Sequence, residues 1–269
     1  MGLSLQFLGT GTSVGVPQIG CRCATCTSRD PRDRRRRSGL YVRSGDTAFV
    51  VDTPPEFRLA CVELGIVKVD AVVLTHAHMD HVAGFDDIRR FNTLNGQKAM
   101  NCYAAAETVD SMKRMFPYIG AKPNANGLFR PMIVFCPVLR AFRIGCVKVT
   151  PLPVEHGGVR TNGYMFEADG CRAVYISDCC ALPDRVCDAI RGVDVLVLDC
   201  LRERFHPTHL NLEKSLEYMR RIGPRRGYFV HMCHDVLHAE FERRLPRWIR
   251  LAYDGLVVRV SARRREGER

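Results

Sequence analysis

Residues 71–81, Ala71-Val72-Val73-Leu74-Thr75-His76-Ala77-His78-Met79-Asp80-His81, lead from an unbroken apolar run into a cluster of metal-binding side chains. The run 71–74 reads as a short buried strand. In extended backbone, residues two apart point the same way, so His76 and His78 can converge on one ion. If the chain then turns into a helix, Asp80 and His81 swing toward a second ion. Four candidate ligands within six residues are denser than a polar loop of backbone-bonded histidines requires. Imidazole suits zinc, and carboxylate admits harder ions such as manganese.

Outward from this stretch, similar apolar runs at 3–8, 48–51, 147–152, 173–176, 195–198, 228–230 and 256–260 read as further buried strands. A helix is predicted to open at Pro55, with Phe57, Cys61 and Leu64 on one face, and to stop at Gly65, where a left-handed cap suits glycine. A second runs from an Asn211 cap through Leu212, Leu216 and Met219 to Gly223 and Pro224. Strands alternating with helices argue a layered α/β fold. No repeat and no Gly-, Ser- or Pro-rich linker interrupts the chain, so residues 1–269 are expected to be a single domain whose two halves meet near 141–147.

With 46% hydrophobic and 26% charged residues the chain is not a disordered tail. Its net charge of +11 favours anionic partners, because a positive field draws phosphates before any specific contact forms. Thirteen cysteines, an odd number in a chain with an ample core, are expected to be reduced thiols. No signal-like amino terminus and no apolar run long enough to span a bilayer are present, which points to the cytoplasm and away from a membrane. Arginine runs at 34–37 and 263–265 read first as a solvated loop and tail, second as phosphate-steering groups. Substrate-facing loops are expected within 100–140, including Phe116, Pro117 and Tyr118, although each aromatic there reads first as a packed core residue.

Near the amino terminus, Gly20-Cys21-Arg22-Cys23-Ala24-Thr25-Cys26 places three thiols in six residues, enough to hold one structural zinc with a fourth ligand from elsewhere. His234 is the expected fourth. The remaining ten cysteines read as small packed hydrophobes.

The 76–81 cluster resembles the HxHxDH signature of the metallo-β-lactamase superfamily, and the later ligands of that family match His156, Asp178 and His231, each after an expected strand. The resemblance implies a four-layer αββα sandwich. It implies that His76, His78 and His156 hold one divalent ion, that Asp80, His81 and His231 hold a second, and that Asp178 bridges them. Asp52 matches an aspartate that the family places behind the ligands to orient an imidazole. Two such ions about 3.5 to 4 Å apart lower the pKa of a shared water toward 7. A leaving alkoxide still needs a proton, and His209 in Pro207-Thr208-His209-Leu210-Asn211 is the candidate general acid; Asp80 and His209 are thus the catalytic candidates.

Together with Leu8-Gly9-Thr10-Gly11-Thr12-Ser13-Val14-Gly15-Val16-Pro17, these motifs resemble the PhnP-like branch over nearly the whole chain. The implied activity is hydrolysis of a small or cyclic phosphodiester, such as a 2′,3′-cyclic nucleotide or a phosphoribosyl cyclic phosphate, with two zinc or manganese ions and one structural zinc. The alternatives are an endoribonuclease of the tRNA 3′-processing type and a metal-binding protein of the pyrroloquinoline quinone biosynthesis type. A small phosphodiester is the expected partner, nucleic acid the less favoured one, and a homodimer is left open.

Overall fold

A computed structural model describes residues 2–122 and 129–261, so the 263–265 arginine run lies outside the described residues. Two seven-stranded sheets face each other. The first holds β1 (Leu3–Gly9), β2 (Gly39–Ser44), β3 (Thr47–Val51), β4 (Ala71–Val73), β5 (Met100–Ala104) and β6 (Ile133–Pro137). The second holds β7 (Phe142–Ile144), β8 (Val147–Val154), β9 (Thr161–Ala168), β10 (Cys171–Ile176), β11 (Val195–Asp199), β12 (Arg226–Val230) and β13 (Ile249–Leu251). The last strand, β14 (Val257–Val260), returns to the edge of the first sheet beside β1. The helices are α1 (Phe57–Glu63), α2 (Met79–Val82), α3 (Ile88–Leu94), α4 (Ala106–Met115), α5 (Asp184–Ala189), α6 (Leu212–Ile222) and α7 (His238–Arg243).

The unbroken apolar runs have a direct cause. Strands β3 and β11 are buried at every residue because each sheet is covered on both faces. Inward-facing Leu5, Phe7, Phe49, Val51 and Val73 of the first sheet meet Val149, Phe166, Tyr175, Val197 and Val230 of the second in one core. There Phe49 and Phe166 meet edge to face, with ring centroids 5.6 Å apart. The residues of opposite parity face outward onto helices. Ala48, Val50 and Val72 pack on Phe57, Ile88, Phe91 and Met112. Val174, Ile176, Leu196 and Phe229 pack on Val186, Met219, Ile222 and Phe241. The result is a four-layer αββα sandwich.

Local signals set the helix ends. Asn211 accepts from the Lys214 N–H, and Gly223 closes α6 in left-handed conformation at φ 63°. Both sheets are antiparallel on one side and parallel on the other: β3, β4, β5 and β6 run parallel, as do β10, β11, β12 and β13. The carboxyl ends of the central parallel strands therefore gather at one rim, where open α/β sheets carry their sites. Among the described residues, no helix is long and apolar enough to cross a membrane.

Candidate metal centre

Most of the key residues lie at the ends of parallel strands, whereas His156 comes two residues after the antiparallel β8. Asp52 follows β3, residues 75–81 follow β4, Asp178 lies two past β10, Asp199 ends β11 and His231 follows β12. Asp52 and His231 hold positive φ of 64° and 63°, a conformation that costs a side chain free energy and persists where packing enforces it. Right after His78 the chain turns into α2, which carries Asp80 and His81 round toward Asp178.

Two ligand groups result. In the first, His78 Nδ1 lies 2.9 Å from His76 Nε2 and 3.4 Å from His156 Nε2. In the second, His81 Nε2 lies 3.2 Å from Asp80 and 3.3 Å from Asp178, and His231 Nε2 lies 3.3 Å from the other Asp178 oxygen. The candidate atoms of each set lie within 4.8 Å of one another, and Asp178 joins a further set with His156 and His209.

Hydrogen bonds on the far side of the rings decide which nitrogens face inward. His156 Nδ1–H donates to the Thr208 carbonyl at 2.9 Å, and His81 Nδ1–H to Asp52 Oδ2 at 2.8 Å. Thr75 donates its hydroxyl to Asp52 Oδ2, so its oxygen accepts from His76 Nδ1 at 3.0 Å. With Nδ1 protonated, the Nε2 lone pairs of His76 and His156 point at each other's neighbourhood. Burial pushes His76 well below its usual pKa and His156 below it, and takes His231 down to about 3, so these rings are neutral and fit to ligate. Burial opposes charge on His81 as well, yet the Asp178 and Asp52 carboxylates raise its pKa well above the ordinary value. Positive charge is wanted at that position. The buried His81 Nε2 and Asp178 Oδ2 have no hydrogen-bond partner. Facing lone pairs, orphaned acceptors and uncompensated carboxylates together fit divalent cations.

His209 sits over the second group, its ring stacked on His231 at 4.7 Å and edge-on to His156 at 4.9 Å. Its Nδ1–H donates to Asp199 Oδ2 at 2.8 Å. Burial works against the charged ring, but the Asp199 carboxylate outweighs it and lifts His209 to about 9. Asp199 itself is raised to about 6 by burial, with imidazolium opposing. At neutral pH the dyad thus keeps a proton on His209, which faces the ligand groups.

At the amino terminus, Cys21, Cys23 and Cys26 converge on His234 Nδ1 at 3.2, 3.6 and 3.9 Å. Backbone N–H groups of Gln18 and Cys26 donate to the Cys26 and Cys23 sulfurs. The donor set suits a closed tetrahedral zinc site. Of the other cysteines, Cys61, Cys102, Cys171, Cys179, Cys187, Cys200 and Cys233 are buried, whereas Cys146 is exposed. Phe116 packs on Phe85 rather than opening toward the rim, while the exposed Tyr118 donates to Asp86.

The structure therefore brings together all the residues expected of the metal groups, and adds four supports that the sequence reading did not include: Asp199, Thr75, Ser38 and Thr12. Asp199 carried a readable signal, a carboxylate ending a buried strand like Asp52. The other three are ordinary loop hydroxyls.

A family model described as a beta-lactamase superfamily domain matches residues 47–232. A solved diphosphatase from the PhnP family is 37% identical, with a TM-score of 0.87, covering 95% of this chain and 97% of that one. An octanoyltransferase of Porphyromonas gingivalis is 32% identical over 95% of this chain, which spans 51% of that protein's length. Coenzyme PQQ synthesis protein B of Methylobacterium sp. is 30% identical over 72% of this chain and 71% of its own length.

Proposed function

Because the chain belongs to the metallo-β-lactamase superfamily, in its PhnP-like branch, we propose that it is a metal-dependent phosphodiesterase acting on a small or cyclic phosphodiester. His76, His78 and His156 would hold one ion, Asp80, His81 and His231 a second, and Asp178 would serve both. When bound, the two cations supply Lewis-acid charge for a phosphoryl oxygen and acidify water toward neutral pH. The protein's own groups do the rest. Asp52, Thr75 and the Thr208 carbonyl orient the imidazoles, and His209, charged by Asp199, delivers a proton to the leaving oxygen.

The observation that carries this reading is the Asp199–His209 dyad beside the ligand groups. An alkoxide leaving group is poor without a proton, and a buried imidazolium supplies it. A second reading, cleavage of a diphosphate linkage, is favoured by the PhnP-family diphosphatase relative. A phosphate leaves readily without protonation, so the effect of removing His209 tests one reading against the other. The octanoyltransferase name belongs to a protein of which this chain spans about half, and it brings no substrate to this chain.

The experiment is turnover of 2′,3′-cyclic AMP, bis-p-nitrophenyl phosphate, ADP-ribose and pre-tRNA with zinc, manganese or no metal. Metal-dependent cleavage of cyclic AMP, lost in Asp80→Ala and cut ~10²–10⁴-fold in His209→Asn, supports the phosphodiesterase. Preference for ADP-ribose with little effect of His209→Asn moves the assignment to the diphosphatase, and cleavage of pre-tRNA alone moves it to the nuclease.

A further inference from the structure

Thr12 is 6% exposed and its Oγ1 lies 3.3 Å from His231 Nε2, the ring atom that faces the second ligand group. The loop cannot withdraw: the Thr12 N–H donates to the Met232 carbonyl, and the Gly15 N–H donates to the Thr12 carbonyl. Ser38 settles which partner donates. Its hydroxyl donates to the Gly11 carbonyl at 3.0 Å, leaving its oxygen to accept from His231 Nδ1 at 3.3 Å. Nδ1 of the neutral ring therefore holds the proton, and Nε2 presents a lone pair. The Thr12 hydroxyl is the donor to it.

A cation at the second group claims that same lone pair. Thr12 then loses its one side-chain partner among the described residues, and a buried hydroxyl without an acceptor is costly. What can relieve it is an oxygen arriving in the site, an anionic one above all.

We propose that Thr12 is a substrate-binding residue of the metal-loaded protein, its hydroxyl donating a hydrogen bond to a non-bridging phosphoryl oxygen. The choice of phosphoryl over another oxyanion rests on the phosphodiesterase reading. The donor role rests on the hydrogen bonds linking Thr12, His231 and Ser38 and on a cation taking the His231 Nε2 lone pair. Two consequences distinguish it from a structural role. Removing the hydroxyl weakens anion binding, and it leaves the second ion bound at least as tightly, because nothing then competes for the His231 lone pair.

The test is calorimetric titration of inorganic phosphate into protein loaded with zinc and freed of excess metal by gel filtration, for wild type, Thr12→Val, Thr12→Ala and Thr12→Ser. Loss of a hydrogen bond to a charged group predicts ~10- to 100-fold weaker phosphate binding in the valine and alanine variants, with metal content unchanged and Thr12→Ser near wild type. Unchanged phosphate affinity in either variant overturns the proposal, as does weakening that accompanies loss of a metal equivalent, or wild-type protein that takes up no phosphate. Should phosphate binding respond as predicted while no phosphodiester is turned over, Thr12 keeps its role and the phosphodiesterase reading fails.

Discussion

Asp199→Asn removes one charge from the proton-donating dyad while keeping its shape. Asp199 is fully buried, and its Oδ2 accepts from His209 Nδ1 and from the Cys179 N–H; asparagine can place its carbonyl oxygen there and keep both. Burial alone would lower His209, but the carboxylate carries it from 6.5 to about 9. That difference is about 3 kcal/mol of preference for the charged ring, at ~1.36 kcal/mol per pH unit. The sign follows from the role: a general acid must be protonated, so rate is lost as pH rises through its pKa. Bound cations pull that value down in wild type and variant alike, so the displacement between them is the predicted quantity. The alkaline limb of kcat for 2′,3′-cyclic AMP should move about 2 pH units toward acid in Asp199→Asn, a fall that approaches roughly 100-fold only at pH values above both limbs. Bis-p-nitrophenyl phosphate, whose leaving group needs little protonation, should lose less than about 10-fold. Superimposable alkaline limbs in pH-rate profiles would refute the dyad as proton donor.

Asp52 orients a histidine of each ligand group, His81 directly and His76 through Thr75, so Asp52→Asn should weaken both ions ~10- to 100-fold in chelator competition; unchanged affinity would contradict this. Cys23→Ser should cost one zinc equivalent by elemental analysis and lower Tm by roughly 5–15 °C, a loss of several kcal/mol at ~2–4 °C each. Burial holds His238, 1% exposed, down to about 4. The fold favours its neutral form, so its contribution is complete above the unfolded value of 6.5 and is lost as pH falls toward 4, at most about 3 kcal/mol. In His238→Phe the Tm should decline less steeply with acidity over that window, and equal slopes would remove His238 as the cause.

Much of this architecture is legible in the sequence because covering both faces of a sheet forces continuous apolar runs. The same rule hides other strands. Strand β9 carries Asn162 and Gly163, the latter because a Cβ there would meet Ile176 Cγ1 at 2.4 Å, and so its pattern resembles a loop. Strand β2 and strand β5 contain Arg43 and Asn101 on exposed positions, and each alternates too briefly to stand out. In the candidate site, histidines and aspartates announce themselves by residue type and order. Their supports do not. His156 is held by the carbonyl of Thr208, fifty-two residues away, and a backbone oxygen leaves no mark in a sequence. Ser38 and Thr12 reach His231 from roughly two hundred residues earlier, a proximity created by the return of β12 to the rim beside the amino-terminal loop.

The central claim is that residues scattered between His76 and His231 clasp a pair of cations, and an anomalous difference map from a manganese-loaded crystal tests it most directly. Two peaks about 3.5 to 4 Å apart are predicted, one among His76, His78 and His156, the other among Asp80, His81 and His231, with Asp178 touching both. A single peak, or density centred instead on His156, Asp178 and His209, would contradict it.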